Sequence, residues 1–238
     1  MLLEIDLFSG IKKLLTYNNV ISISGESGTG KTTFALQLIG RYLTWEEPFT
    51  DTCVWIQASE MFPFRRLTQL FGQKKSLEYI QENIFVIPPH IPIHTYKQQT
   101  SLIQHLLEPS NIVPPSLKFV VIDNISHHLR YKLIQYNNPK DVSSLLDSFY
   151  ETQLMPLMLF CKQNEMILIM IHEVTYSPMY QCNRPFFYKL YDRIDMINIV
   201  LSKVYSHKVR ALQIIYDETE WNFKYSIDPN GISIKNQS

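Results

Sequence analysis

Short apolar runs rich in β-branched residues alternate along the chain with longer stretches whose apolar positions recur every three or four residues. This is the signature of strands laid between helices. "NVISISG" (Asn19–Gly25) predicts a strand that stops on glycine, and "KTTFALQLIGRYLT" (Lys31–Thr44) a helix with Phe34, Leu38 and Leu43 on one side. "DTCVWIQAS" (Asp51–Ser59) predicts a second buried strand. A helix over "MFPFRRLTQLFG" follows, with Pro63 in its first turn and Gly72 at its end, and then a short helix over "SLEYIQEN". "IFVIPPHIPIH" begins as a strand and is halted by Pro88 and Pro89, after which "TYKQQTSLIQHLLE" returns to the helical period. "LKFVVIDNIS" (Leu117–Ser126) is an uninterrupted apolar strand ending on one aspartate. "DVSSLLDSFYETQLMPLMLFCKQN" predicts a helix with a kink or boundary at Pro156, and "EMILIMIHEV" a fourth buried strand.

Strands that are apolar along their whole length belong in a parallel sheet covered on both faces. From "MINIVLSKV" onward the pattern changes, because "VRALQIIYD" and "WNFKYSIDPNGISI" follow as strands with no helix between them. Antiparallel strands are therefore expected to extend one edge. The fold class is α/β: a three-layer domain with a mainly parallel central sheet and antiparallel C-terminal edge strands. No flexible linker interrupts the 238 residues, so 1–238 reads as a single domain, long enough for one large core.

Composition narrows the partners. Lys+Arg and Asp+Glu both number 22, so no global field draws the protein to nucleic acid or membrane, and any such contact must come from a local patch. Glu4 and Asp6 interrupt the apolar N-terminus, which excludes a secretory signal of ordinary pattern, and Lys162 to Glu165 interrupt the longest apolar run, so no membrane association is expected. Cys53, Cys161 and Cys182 are unevenly spaced and odd in number, which suits a reducing compartment. The His127-His128 and His90/His94 pairs lack a nearby thiolate or acid and do not make a metal site.

The chemistry concentrates between the first strand and its helix. Gly25-Glu26-Ser27-Gly28-Thr29-Gly30-Lys31-Thr32, followed by Thr33, fits G-x-x-x-x-G-K-[ST]. Glycines let such a loop wrap its N–H groups around phosphate oxygens, Lys31 neutralises the terminal phosphates, and the Thr32 hydroxyl is placed to ligate Mg²⁺. A chain of this length matches by accident about once in a hundred, and here the match also sits between a strand and a helix whose N-terminus favours anions. Asp123 closes a buried strand about ninety residues downstream, where proteins with such a loop place the acid that holds Mg²⁺. ATP and Mg²⁺ are the expected cofactors.

The ordered set "FSGIKKLL...ISISGESGTGKTTFALQL", "CVWIQASEMFPFRRLTQL", "FVVIDNISHHLR", "LIMIHEV" and "VRALQIIYD...FKYSIDPNGISI" resembles the RecA/RadA strand-exchange recombinases over nearly the whole chain. "VWIQASEMFPFRRLTQLF" is most similar to the eukaryotic recombinase paralogues, the recombination mediators, and especially the branch that includes the X-ray-repair paralogue. The resemblance implies a RecA-like ATPase core. It also implies departures. Nothing before Ser9 corresponds to the family's small helical N-terminal domain or to the linker through which strand-exchange enzymes polymerise, so long filaments of this chain are not expected. The glutamate that positions the attacking water in active recombinases aligns with Ser59, and Glu60 follows one residue later. Glu60 is either the catalytic base, beside Lys31, or an exposed cap of the next helix. The family's Asn-Gln pair that senses the γ-phosphate corresponds to His172-Glu173, an acid where a triphosphate needs positive charge. His172 contacts a partner or phosphate, or is structural. Arg66 matches the arginine that stacks on adenine, with a solvated helix arginine as the other reading.

Thr175–Arg193 corresponds in order to the family's second DNA loop. It interleaves Arg184, Lys189 and Arg193 with Tyr176, Tyr180, Phe186, Phe187, Tyr188 and Tyr191, which suits either single-stranded DNA or a protein interface. From Arg184 to Arg210, six cations, Lys203 and Lys208 among them, outnumber two aspartates, a local net charge of +4. Arg130–Asp141 matches the first DNA loop, with Arg130, Lys132 and Lys140 as weaker candidates beside an ordinary polar loop. The expectation is an ATP-binding recombinase paralogue in homologous recombination and DNA repair, with weak hydrolysis. Its partners would be other paralogues, a strand-exchange recombinase and, weakly, single-stranded DNA. Its compartment would be the nucleus, or the cytoplasm for an archaeal source. A DNA-dependent ATPase with full turnover and a KaiC-type signalling ATPase are the alternatives.

Overall fold

The computed structural model describes residues 6–72, 76–108, 110, 113–179, 181–204 and 209–235. Helix α1 (Leu7–Leu14) opens the chain. Asp6 caps it by accepting from the Ser9 N–H, and Leu7, Phe8, Ile11 and Leu14 form its buried stripe. Strand β1 (Val20–Gly25), α2 (Lys31–Leu43), β2 (Thr52–Gln57), α3 (Phe64–Phe71), α4 (Leu77–Glu82), β3 (Ile84–Ile87), α5 (Tyr96–Leu107) and β4 (Leu117–Asp123) then alternate as the pattern predicts. After α6 (His127–Leu133), α7 (Pro139–Phe149), a π turn (Tyr150–Leu154) and α8 (Met155–Gln163) come β5 (Ile167–His172), β6 (Val174–Ser177), β7 (Cys182–Pro185) and the single-turn α9 (Tyr188–Tyr191). Strands β8 (Ile197–Val204), β9 (Val209–Tyr216), β10 (Thr219–Asp228) and β11 (Gly231–Lys235) complete the fold.

Among the described residues, nine strands form one sheet in the order β11-β10-β9-β8-β1-β5-β4-β2-β3. The six strands from β8 to β3 run parallel, and β9, β10 and β11 continue the sheet antiparallel from β8. The expected fold class is therefore what the chain adopts. Alternate side chains of each buried strand enter opposite cores: Trp55, Phe119 and Ile169 pack with α2 residues Phe34 and Ile39, whereas Val54, Val120 and Leu168 pack with Phe149, Leu157 and Cys161. Each of these burials contributes about 1.5–3 kcal/mol, and together they fix which ends of the strands lie side by side. Gly25, Gln57, Asp123 and His172 all end parallel strands on one edge.

One local expectation holds and two are corrected. The kink or boundary expected at Pro156 is present, since a π turn ends at Leu154 and leaves Pro156 in the first turn of α8, where its missing N–H costs nothing. Arg130–Asp141, read as a loop, is half helix: Arg130 to Leu133 finish α6 and Pro139 begins α7. Thr175–Arg193 is not an open loop either. β6 and β7 pair as an antiparallel ribbon with Thr175 opposite Arg184, and Leu190 and Tyr191 of α9 are buried. Tyr180 and Lys208 lie outside the described residues. Much of the expected basic surface is matched by acids, since Arg184 pairs with Asp192 at 2.7 Å and Arg193 with Asp147 at 3.3 Å. Cys53 and Cys161 are buried and Cys182 is exposed.

Candidate nucleotide site

The loop between β1 and α2 is shaped by close approach. A β-carbon at Gly25 would lie 2.3 Å from the Leu201 carbonyl oxygen of β8 and 2.7 Å from Thr29 Oγ1, so only glycine fits where the strand turns into the loop. Gly30 adopts φ +90° at the start of α2, a conformation that side chains disfavour. Thr29 Oγ1 donates to the Glu26 carbonyl at 2.8 Å, and the Tyr225 hydroxyl donates to the Thr29 carbonyl at 2.7 Å. Lys203 Nζ donates to the Ser27 carbonyl at 2.6 Å. The loop is thus braced from β8 and β10, while among the described residues no side chain caps α2, and its first-turn N–H groups remain for a ligand.

Lys31 folds back over this loop and donates to the carbonyls of Gly25 at 2.9 Å and Glu26 at 3.1 Å. Burial lowers its pKa, against the opposing pull of Asp123, Glu173 and Glu60. Across the strand ends, Thr32 Oγ1 donates to Asp123 Oδ2 at 2.8 Å. Burial pushes the Asp123 carboxyl up to about 6, with the Thr32 bond and Lys31 working against that rise and Glu60 and Glu173 adding to it. The Asp123 carbonyl accepts the N–H groups of Ala58 at 2.7 Å and Ser59 at 3.1 Å, which ties the end of β2 to the acid.

Beside these groups lies a cavity of about 470 Å³ lined by the loop, Thr33, Ser59, Glu60, Asp123, Arg130, Glu173 and Phe186. A bent, Gly-rich loop with an uncapped helix behind it, a lysine over it, and a hydroxyl and a carboxylate side by side fit a nucleoside triphosphate with one divalent cation. Thr32 and Asp123 supply the hard oxygens that Mg²⁺ prefers.

Comparison with known proteins agrees with this architecture. The crystal structure of the RadB recombinase superposes with a TM-score of 0.67 over 90% of this chain and 89% of that one, at 20% identity. In sequence, the chain is 32% identical to the DNA repair protein RAD57 of Saccharomyces cerevisiae over 122 residues. The chain has the fold of the RecA-like recombinases. That match covers 49% of the chain and 26% of the relative, so the chain spans about a quarter of the curated protein it resembles. No protein-family model matches it.

In this RecA-like frame, Ser59 and Glu60 both line the cavity and Glu60 is exposed there. Arg66 lies outside the cavity lining. Its guanidinium donates to Thr33 Oγ1, Gln69 Oε1 and the carbonyls of Asp228 and Pro229, clipping α3 to α2 and to the β10–β11 turn. His172 is fully buried, with Nδ1 3.2 Å from Ser126 Oγ and its ring edge-on to Tyr191, and burial lowers its pKa to about 3. Of the readings open for His172, the structure bears out the structural one. Sequence reasoning missed Lys203 and Tyr225 as braces and Asn183, whose amide donates to Glu26 Oε1 at 3.1 Å. Only the pairing of β8 with β1, Gly25 beside Leu201, brings Lys203 to the loop, and no local motif marks such a pairing.

Proposed function

We propose that this chain is an ATP-binding recombinase paralogue acting in homologous recombination and DNA repair, part of a hetero-oligomer with other paralogues that assists a strand-exchange recombinase on single-stranded DNA. The observation that carries the reading is the Lys31–Thr32–Asp123 arrangement at the strand edge of a recombinase fold. The similarity to a protein named for DNA repair and to one named a recombinase supports the pathway. The loop amides and Lys31 would hold the phosphates, and Thr32 and Asp123 the Mg²⁺, which supplies charge neutralisation between them. Hydrolysis is weak in this reading, because Ser59 cannot serve as a base and Glu173 sets a negative charge in the cavity. Nucleotide then serves mainly to order a subunit interface. The nucleus is the expected compartment, or the cytoplasm in an archaeon.

Pull-down of the copurifying complex tests this. Lys31→Ala should weaken partner capture, and capture unchanged by that substitution would remove nucleotide from the interface. One observation favours a second reading: Glu60 faces the cavity and could serve as base for a DNA-dependent ATPase. DNA-stimulated ATP turnover that disappears in Glu60→Gln would establish that reading over the first.

A further inference from the structure

The wall of the cavity away from the loop is built by three residues from three segments. Arg130 of α6 reaches the carboxylate of Glu173, which directly follows β5, at 3.2 Å. The ring of Phe186, directly after β7, lies under the same guanidinium, 4.4 Å from its carbon to the ring centroid. The Phe186 N–H donates to the Glu173 carbonyl at 3.0 Å, so the ribbon is anchored to the residue that Arg130 holds. All three line the cavity that also contains Lys31 and Asp123.

The charges around this space are unbalanced. Among the described residues lining it, Glu26, Glu60, Asp123 and Glu173 face two cations, Lys31 and Arg130. Lys31 is bound to the loop carbonyls, at the end where phosphates enter the helix N-terminus. Arg130 is the cation of the opposite wall, and its present partner is a carboxylate with side-chain exposures of 47% and 42% for the pair. Exposed pairs of this kind are weak. A terminal phosphate carries more charge than a carboxylate and offers more oxygens to the fork of a guanidinium, so it outcompetes Glu173 for Arg130. A diphosphate lacks that terminal group.

Resting on the nucleotide reading above, we propose that Arg130 is the residue by which this site distinguishes a nucleoside triphosphate from a diphosphate, exchanging Glu173 for the terminal phosphate. The exchange also moves the guanidinium off Phe186 and leaves Glu173 facing the phosphate without its counter-charge. Both changes loosen the anchor of the β6–β7 ribbon. The acid that departs from the family's sensor pair thus becomes the competitor that sets the threshold for triphosphate.

The test is calorimetric titration of AMP-PNP and ADP, each with excess Mg²⁺, into the full chain and into Arg130→Gln and Glu173→Gln. Arg130→Gln should weaken AMP-PNP about tenfold and leave ADP within twofold; Glu173→Gln should tighten AMP-PNP several-fold and ADP less. In hydrogen exchange, the Phe186 amide should exchange faster with AMP-PNP than with ADP in the parent chain, and equally with both in Arg130→Gln. A parent chain that binds neither nucleotide would overturn the site reading itself. Both nucleotides bound, with Arg130→Gln weakening them equally or not at all, would overturn the role of Arg130 alone. A Phe186 amide indifferent to the terminal phosphate would overturn the link to the ribbon.

Discussion

Asp123 should be a liability in the protein without nucleotide, and Asp123→Asn should remove it. Burial at the strand edge moves the carboxyl from an ordinary 3.8 to about 6, even though Thr32 and Lys31 both favour its ionised form. The folded chain therefore takes up this proton near pH 6 and the unfolded chain near pH 3.8. Between those values the folded state holds more protons, so this residue's contribution to stability falls as pH rises and stays at its lowest above pH 6. A rise of about two pH units corresponds to about 3 kcal/mol. Asparagine resembles the protonated acid and keeps an oxygen for the Thr32 hydroxyl, so the ligand-free variant should be more stable by about 3 kcal/mol at pH 7.5, with the gain vanishing near pH 4. Urea unfolding of both proteins across that range measures the difference, and His172 cancels because both contain it. If the site holds a magnesium nucleotide as proposed, the same variant should also lose the thermal stabilisation that Mg²⁺ and ATP would give the parent. A destabilised variant at pH 7.5, or a gain that does not change with pH, would refute the reasoning.

Three further outcomes follow from the packing. Gly25→Ala places a β-carbon 2.3 Å from the Leu201 carbonyl, so it should cost about 1–3 kcal/mol by forcing the backbone of β1 or β8 to shift, read as a lower urea midpoint. Phe34 is fully buried beside Phe8 at 5.5 Å between ring centroids, and Phe34→Ala should cost about 3–5 kcal/mol; a smaller loss would mean that α1 collapses onto the space. His172 stays neutral down to about pH 3 in the fold, whereas the unfolded chain takes a proton near 6.5. Stability from this residue therefore falls as pH drops, by about 2 kcal/mol between pH 6.5 and 4.5, and His172→Gln should flatten that acid limb in urea unfolding.

The parallel strands were legible because β1, β2, β4 and β5 are largely buried on both faces and read as short runs dominated by apolar and β-branched residues. The loop was legible because its glycines, lysine and threonine are consecutive. Asp123 was legible because it ends such a run. What the pattern hid is what depends on distant pairing. Helix α1 lies in a stripe of Leu7, Phe8, Ile11 and Leu14 too short to dominate its window, and it is fixed by burial on α2 rather than by propensity. The β6–β7 ribbon carries no alternation of apolar and polar residues, and Arg184, Phe186 and Tyr188 resembled an open binding surface although they are half-buried. Arg130 read as a loop cation, but α6 turns it into the cavity toward Glu173, forty-three residues away in sequence.

The proposed function requires the loop from Gly25 to Thr33 to hold a magnesium nucleotide. Calorimetric titration of Mg²⁺ and ATP into the purified chain, beside Lys31→Ala, tests it most directly. Binding should be saturable and one-to-one, require Mg²⁺, and weaken at least a hundredfold in the variant. Heat that is absent from the parent chain, or equal in parent and variant, would contradict it.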